Sequence, residues 1–298
     1  MKPFAIITDS CSSLSKDERQ KYNIDYVPMS VSYNGTTAPA SLDWDVMSAH
    51  EFYDLMRNGT RVLTSQANAV DYKEKFLHYI NQGYDILSIS CSGALSASVK
   101  ASYVVRDQLL AEHPDCQIVC IDSLNSSAGL GILCKMASNC RAEGKTLQQT
   151  ADYIQSIRLC VNQECTVDKL LYLKQAGRVS PATALFGSLL NVKPIIISDV
   201  IGQNCSVEKV KGKKLAYQRL VERALDEYDP TLYSEVVVAH ADCIEDANML
   251  ISMLVEKRPE LQSKITVSIV DPIVGASAGP GTVAIYVAGK PVTFDSSK

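Results

Sequence analysis

Hydrophobic and polar positions follow two different rhythms along this chain, and the change between them divides it. In the first half, short apolar runs rich in β-branched residues are each followed by a polar loop and then by helical spacing. The first run is 4–8, stopping at Asp9-Ser10. Residues 26–33 read as one extended run closed by Asn34-Gly35, a strong turn signal because both residues tolerate positive φ. Helical spacing covers 45–58 and 69–82, with Gly59 and Gly83 where C-terminal capping glycines belong. An apolar strand at 84–90 leads through a polar loop to a helix at 95–110, and a strand at 117–121 precedes a helix from Ser126 to about Arg141. This order predicts a mostly parallel sheet covered by helices. Ligands of such sheets sit beyond the carboxyl ends of the strands, where Thr8-Asp9-Ser10, residues 90–96 and Asp122-Ser123 all fall.

From about residue 150 the pattern becomes mixed. Helices are expected at 146–158, around 181–190, at 215–228 and at 244–257, with strands at 194–198, 205–210, 236–240 and 265–270. The stretch 270–282 reads as a strand running into a Gly-Pro-Gly turn, and 283–287 as a last strand. The expected fold class is α/β in two domains. The first, 1–150, has a parallel sheet; the second, 151–298, has a mixed sheet, with the last strands able to return to the first domain. No repeat or low-complexity linker separates the halves, so a broad interface between them is expected.

Composition narrows the function classes. Hydrophobic residues make up 46%, charged residues 21%, and the net charge is -4, so no general attraction to nucleic acid or anionic membrane is expected. The cluster Lys209, Lys211, Lys213 and Lys214 reads as a solvated hairpin or helix start. The first residues hold too short an apolar run for a signal peptide, and no segment approaches the roughly 18–20 apolar residues that span a bilayer. A cytoplasmic protein without stable membrane insertion is expected. The ten cysteines, in a chain of this size, read as reduced, buried, small hydrophobes. The closest pairs, Cys116/Cys120 and Cys160/Cys165, lack further ligands at zinc-binding spacing.

Several motifs fail on context. Gly275-Ala276-Ser277-Ala278-Gly279 matches a nucleophile elbow, but a strand rather than a helix is expected after it, and the last histidine, His240, lies upstream. Gly144-Lys145-Thr146 looks like the tail of a phosphate loop, yet it joins two helices and Asn139 holds the first glycine position. Gly129 and Gly131 begin a dinucleotide fingerprint that Cys134 breaks, and Asp54 stands where His50-Glu51 would need a second histidine. No cofactor or metal site is expected.

Hydroxyl chemistry remains. Residues 92–98 lie between a strand and a helix, a place that either offers free N–H groups to an anion or simply caps the helix. Thr64-Ser65-Gln66 adds hydroxyls, and Gly177-Arg178 adds a guanidinium suited to a carboxylate or phosphate, or to a surface ion pair. Together with Thr8-Asp9-Ser10, Asn191-Val192-Lys193-Pro194 and the glycine-rich turn, these segments stand in an order that resembles the DegV family of bacterial fatty-acid-binding proteins, nearly end to end.

That resemblance implies a long-chain fatty acid bound between the two domains, its carboxylate held by Thr64 and Ser96, with Arg178 completing the surroundings. The family's head-group histidine is replaced here by Ser277; Ser65, Ser92, Gly279 and Gly281 belong to the neighbouring loops. Ala67, Ala97, Ser98, Ala176 and Ala278 also depart from the family pattern. The resemblance further implies a carrier rather than an enzyme, whose bound acid a separate ATP-dependent fatty acid kinase phosphorylates. A binder of another apolar ligand and an acyl-transfer or hydrolytic enzyme are the alternatives.

Overall fold

The computed structural model describes residues 2–179 and 191–297. The helix expected around 181–190 lies outside the described residues.

Strands β1 (Phe4–Asp9), β2 (Ile24–Val27), β6 (Asp85–Ser90) and β7 (Ile118–Asp122) form a parallel sheet in the order β2-β1-β6-β7. Every residue of β1 and β6 is buried, as expected of central strands covered on both faces. Helices α3 (Ala69–Ile80) and α4 (Ser98–Glu112) pack on this sheet. The run expected at 26–33 is two strands. Pro28 has no N–H for a ladder, so pairing stops at Val27, and β3 (Ser30–Tyr33) starts a separate antiparallel sheet with β4 (Thr36–Pro39) and β5 (Leu63–Ser65). Asn34 (φ 49°) and Gly35 (φ 77°) form the β3–β4 turn, both left-handed as a tight hairpin demands. Two further first-half helices are α1 (Lys16–Tyr22) and α2 (Ala49–Arg57).

The second sheet has six strands in the order β10-β9-β8-β13-β11-β12. They are β8 (Val161–Thr166), β9 (Val192–Ser198), β10 (Asn204–Lys211), β11 (Val236–His240), β12 (Ile265–Ile269) and β13 (Val283–Ala288), all antiparallel to their neighbours except β11 and β12. Sequence reading missed β8 because Asn162, Gln163 and Glu164 make it look like a loop; all six residues are nevertheless buried. Glu164, 1% exposed, is held there by Arg223 at 2.7 and 2.9 Å. The last strand, β13, does not return to the first sheet. It lies between β8 and β11, where its run of Val, Ile and Tyr is buried on both faces.

Helices α8 (Lys213–Glu227) and α9 (Ile244–Lys257) cover the outer face of this sheet. Two shorter elements, α7 (Leu170–Ala176) and α10 (Pro272–Ala278), lie against one another. The latter was also missed: Asp271 caps it by accepting from Ile273 and Val274 N–H at 3.0 and 2.9 Å, and Pro272 fills the first helical position.

Helix α5 (Ala128–Ala142) runs between the two large sheets, touching β1 and β6 on one side and β8 and β13 on the other, with α6 (Leu147–Ile157) beside it. Its glycines are packing residues. A Cβ on Gly131 would stand 2.7 Å from the Ser12 carbonyl, and one on Gly129 would meet Asn125 at 2.7 Å and the Tyr286 ring at 3.3 Å. Thr146, of the rejected phosphate-loop motif, caps α6 by accepting from Gln149 N–H at 3.2 Å. Lys135 of α5, its side chain 3% exposed, pairs with Glu18 of α1 at 3.1 Å and with Glu235 ahead of β11 at 2.6 Å. One buried ammonium thus joins the halves. Lys135→Ala is expected to lower the unfolding free energy by about 3 kcal/mol, the scale of breaking a buried pair, as measured by urea denaturation. A change below about 0.5 kcal/mol would mean the two carboxylates stay solvated without it.

Candidate ligand-binding site

A cavity of about 390 Å³ lies beyond the carboxyl ends of β1 and β6, against the inner face of the six-stranded sheet. That volume is in the range of small-molecule sites, roughly 300–1,000 Å³. Thr64, Ser96, Arg178 and Ser277, four residues far apart in sequence, all line it. Its apolar wall comes from Met29, Leu95, Val167, Leu173, Ile196 and Ile273, among others.

Each polar group is held by a local device. Ser98 is the fastener of the hydroxyl loops: its buried Oγ accepts from Ala67 N–H at 3.1 Å and lies 2.9 Å from Ser96 Oγ. One hydroxyl thereby ties the segment carrying Thr64 to the loop carrying Ser96. Arg178 follows Gly177, the left-handed cap of α7 (φ 67°), and its Nε donates to the Leu95 carbonyl at 3.2 Å, beside Ser96. Its Nη1 donates to the Ala176 carbonyl. Both contacts are to neutral carbonyls, so this guanidinium has no carboxylate partner among the described residues.

Ser277 is set by two tyrosines. Tyr53 of α2, fully buried, donates to the Val270 carbonyl at 2.8 Å, and a Cβ on Gly275 would stand 2.2 Å from its hydroxyl oxygen. Tyr172 donates to the Met56 carbonyl at 3.1 Å, and a Cβ on Gly279 would fall 2.1 Å from its ring. The Gly-x-Ser-x-Gly motif is therefore a packing pattern: each glycine admits a tyrosine, and the serine between them faces the cavity.

The loop 92–98 does not offer a set of free N–H groups to an anion. Gly93 N–H donates to Asp122, Ala94 N–H to Ser92 Oγ, Leu95 and Ser96 N–H to the Ser92 carbonyl, and Ser98 N–H to Ser96 Oγ. The helix begins at Ser98 rather than residue 95, so the intervening amides are used in turns. Ser92 is fully buried against the turn at Gly202, and Ser65 is exposed; neither lines the cavity. Gly279 and Gly281 shape the turn after α10, at φ 85° and 78°, and do not line it either.

The structure adds residues with no motif to announce them. Cys11 and Cys91 sit at the ends of β1 and β6, both cavity-lining, with their N–H groups held by the two oxygens of Asp9 at 3.0 and 2.9 Å. A hydrogen bond that Cys11 donates to Cys91, together with burial, pushes the Cys11 thiol well up. Burial raises Cys165, on the opposite wall, to about 12. These thiols are protonated and weakly nucleophilic. A second groove of about 370 Å³ shares Thr64, Arg178 and Ser277 with the first and is lined also by Arg57, Arg61 and Lys169, with no acidic residue among its lining. Among the described residues one group has metal-ligand geometry, His50, Asp54 and Asp242. Arg57 bridges its two carboxylates at 2.6 and 2.5 Å and already offsets one of their two charges.

Asp9 and Asp271 are both fully buried, and burial pushes their carboxyls up to about 6 and about 7. The folded values lie above the unfolded one, near 3.9. Each group's contribution to stability is therefore complete below about pH 4 and is lost as pH rises through the folded value. Asp271→Asn, which keeps an oxygen for the α10 cap, is expected to flatten the fall in unfolding free energy between about pH 4 and pH 7. Parallel denaturation curves across that range check it, and equal slopes in both proteins would contradict it.

With this geometry in place, comparison with known proteins assigns the class. The family model described as "Uncharacterised protein, DegV family" matches residues 3–290. The chain belongs to the DegV family. A DegV domain-containing protein of Clostridium perfringens is 31% identical over 293 residues, covering 97% of this chain and 98% of that one. Among solved structures, the fold is similar to DegV, a fatty acid binding protein from Bacillus subtilis (TM-score 0.82, 24% identity, 97% of this chain and 100% of that one). It is also similar to a stearic acid-binding protein from Eubacterium ventriosum (TM-score 0.85, 20% identity, 96% and 98%). No helix among the described residues is long and apolar enough to cross a membrane.

Proposed function

We propose that this protein binds a long-chain fatty acid in the cavity between its two halves, with the carboxylate at Thr64, Ser96 and Arg178 and Ser277 alongside. The observation that carries this reading is the convergence, at one apolar-walled cavity, of two hydroxyls and a guanidinium that has no carboxylate partner among the described residues. The fatty-acid-binding proteins of the same fold support it. Burying about fourteen methylenes contributes on the order of 11 kcal/mol gross, at ~0.8 kcal/mol each. One hydrogen bond to the charged head group contributes roughly 1.5–3 kcal/mol. The tail supplies most of the affinity and the head group sets the orientation.

The protein acts as a carrier and presents the carboxylate to an ATP-dependent acyl kinase. The cationic groove that meets the cavity at Thr64, Arg178 and Ser277 supports this, since it gives a phosphoryl donor an electropositive approach to the same end of the ligand. Protonated cavity thiols fit binding better than chemistry by the chain itself.

Protein purified from a bacterial host is expected to carry roughly one long-chain fatty acid, read by mass spectrometry of a denaturing extract. An empty extract, with no uptake of added fatty acid, would refute the reading. Thr64→Ala and Ser96→Ala should each weaken binding by about 1–3 kcal/mol, and together by less than the sum, because both contact one carboxylate. Titrations matching wild type for both single variants would place the head group elsewhere. Ser277→His should raise kinase-dependent acyl-phosphate formation while changing fatty-acid affinity by under about 1.5 kcal/mol. An equal rate in wild type would show that an imidazole is dispensable at this position.

A further inference from the structure

One wall of the cavity is polar at a distance from the head group. Just ahead of β13 and along it, the side chains facing the cavity are Thr282, Ala284 and Tyr286. Thr282 belongs to the head-group end, because its Oγ1 donates at 3.1 Å to the carbonyl of Ala278, the residue after Ser277. Tyr286 is four residues further along the strand, roughly 13 Å away at about 3.3 Å per residue. There the Tyr286 hydroxyl donates to Gln163 Oε1 at 3.2 Å, and Gln163 Nε2 donates to Asn204 Oδ1 at 3.2 Å. Ser126, 6% exposed, lines the same cavity from the turn ahead of α5, where Gly129 lets that turn approach the Tyr286 ring.

This group has unspent capacity. Ser126 Oγ makes no hydrogen bond among the described residues, and Gln163 Nε2 uses one of its two N–H donors. Buried polar atoms ordinarily find partners, and a saturated chain laid over this wall would exclude water and offer none. We infer that the preferred occupant of the cavity is a long-chain acid bearing a hydroxyl in mid-chain, its oxygen bonded by Ser126 Oγ and Gln163 Nε2. The inference rests on the fatty-acid reading above and specifies its substrate class. Three backbone bonds span about 3.3–3.6 Å, so 13 Å is about ten to twelve bonds of an extended chain. That is the middle of an acid of octadecanoic length. A site built around a ligand hydroxyl discriminates against the analogue without it, because its own polar groups are then left unpaired.

The test is calorimetric titration of the delipidated full-length protein with octadecanoic acid and with its isomers hydroxylated near the carboxylate, in mid-chain and near the methyl end. The mid-chain isomer is expected to bind about tenfold more tightly than octadecanoic acid, the scale of one net hydrogen bond, and more tightly than either other isomer. Ser126→Ala should abolish that preference, so that the mid-chain isomer binds no more tightly than octadecanoic acid. Equal affinity of wild type for octadecanoic acid and the mid-chain isomer overturns the inference, as does a preference that survives Ser126→Ala. If none of the acids binds the folded protein, the fatty-acid reading itself fails, and this inference fails with it.

Discussion

The burial of α5 between two sheets is the constraint from which the rest of the structure follows. A helix enclosed on both sides must be narrow where each sheet approaches, so Gly129 faces Tyr286 and Gly131 faces the backbone at Ser12. It must also neutralise any charge it carries, and Lys135 does so with one carboxylate from each half. The helix fills the space between the sheets along its length, and the cavity opens where it begins, at Ser126 and the ends of β1 and β6. The binding space is in that sense the part of the inter-sheet layer that α5 does not occupy.

The walls of that space divide by origin. The first half contributes the hydroxyl loops and two thiols at strand ends, which are exchangeable without touching a sheet interior. The second half contributes the face of a sheet, where alternate residues of β8 and β13 point into the cavity and the intervening ones face α8. Glu164 and Gln163 are neighbours on one strand with opposite assignments: the first is fixed by Arg223 on the outer face, and the second lines the cavity.

The parallel sheet and the helices of both halves were legible because their apolar spacing and capping signals agree. So was the convergence of Thr64, Ser96 and Arg178, through the motifs they belong to. The failures have physical causes. Strand β8 is central and buried yet polar, since a buried glutamate paired with a partly exposed arginine and an amide network replace the hydrophobic run that marks such strands. Helix α10 hid behind its glycines, although Asp271-Pro272 is a cap followed by a first-turn proline and could have announced it. The loop 92–98 was open between an anion cradle and a helix cap, because the turns that use the Gly93–Ser96 and Ser98 amides begin with Asp122, a partner distant in sequence. The cavity thiols carry no signal at all, because a buried cysteine reads the same whether it packs or lines a void.

The fastening role of Ser98 also bears on the head-group hydroxyl. Its oxygen receives the Ala67 N–H and can give its own proton to Ser96 Oγ, which also receives the Ser98 N–H. In that orientation both lone pairs of Ser96 are occupied and its own proton is left for a ligand. Arg178 beside it can only give protons. On the fatty-acid reading proposed above, two neighbouring groups that give hydrogen bonds favour a carboxylate, which only receives them, over the neutral acid: the charge state of the visitor matters there before the length of its tail.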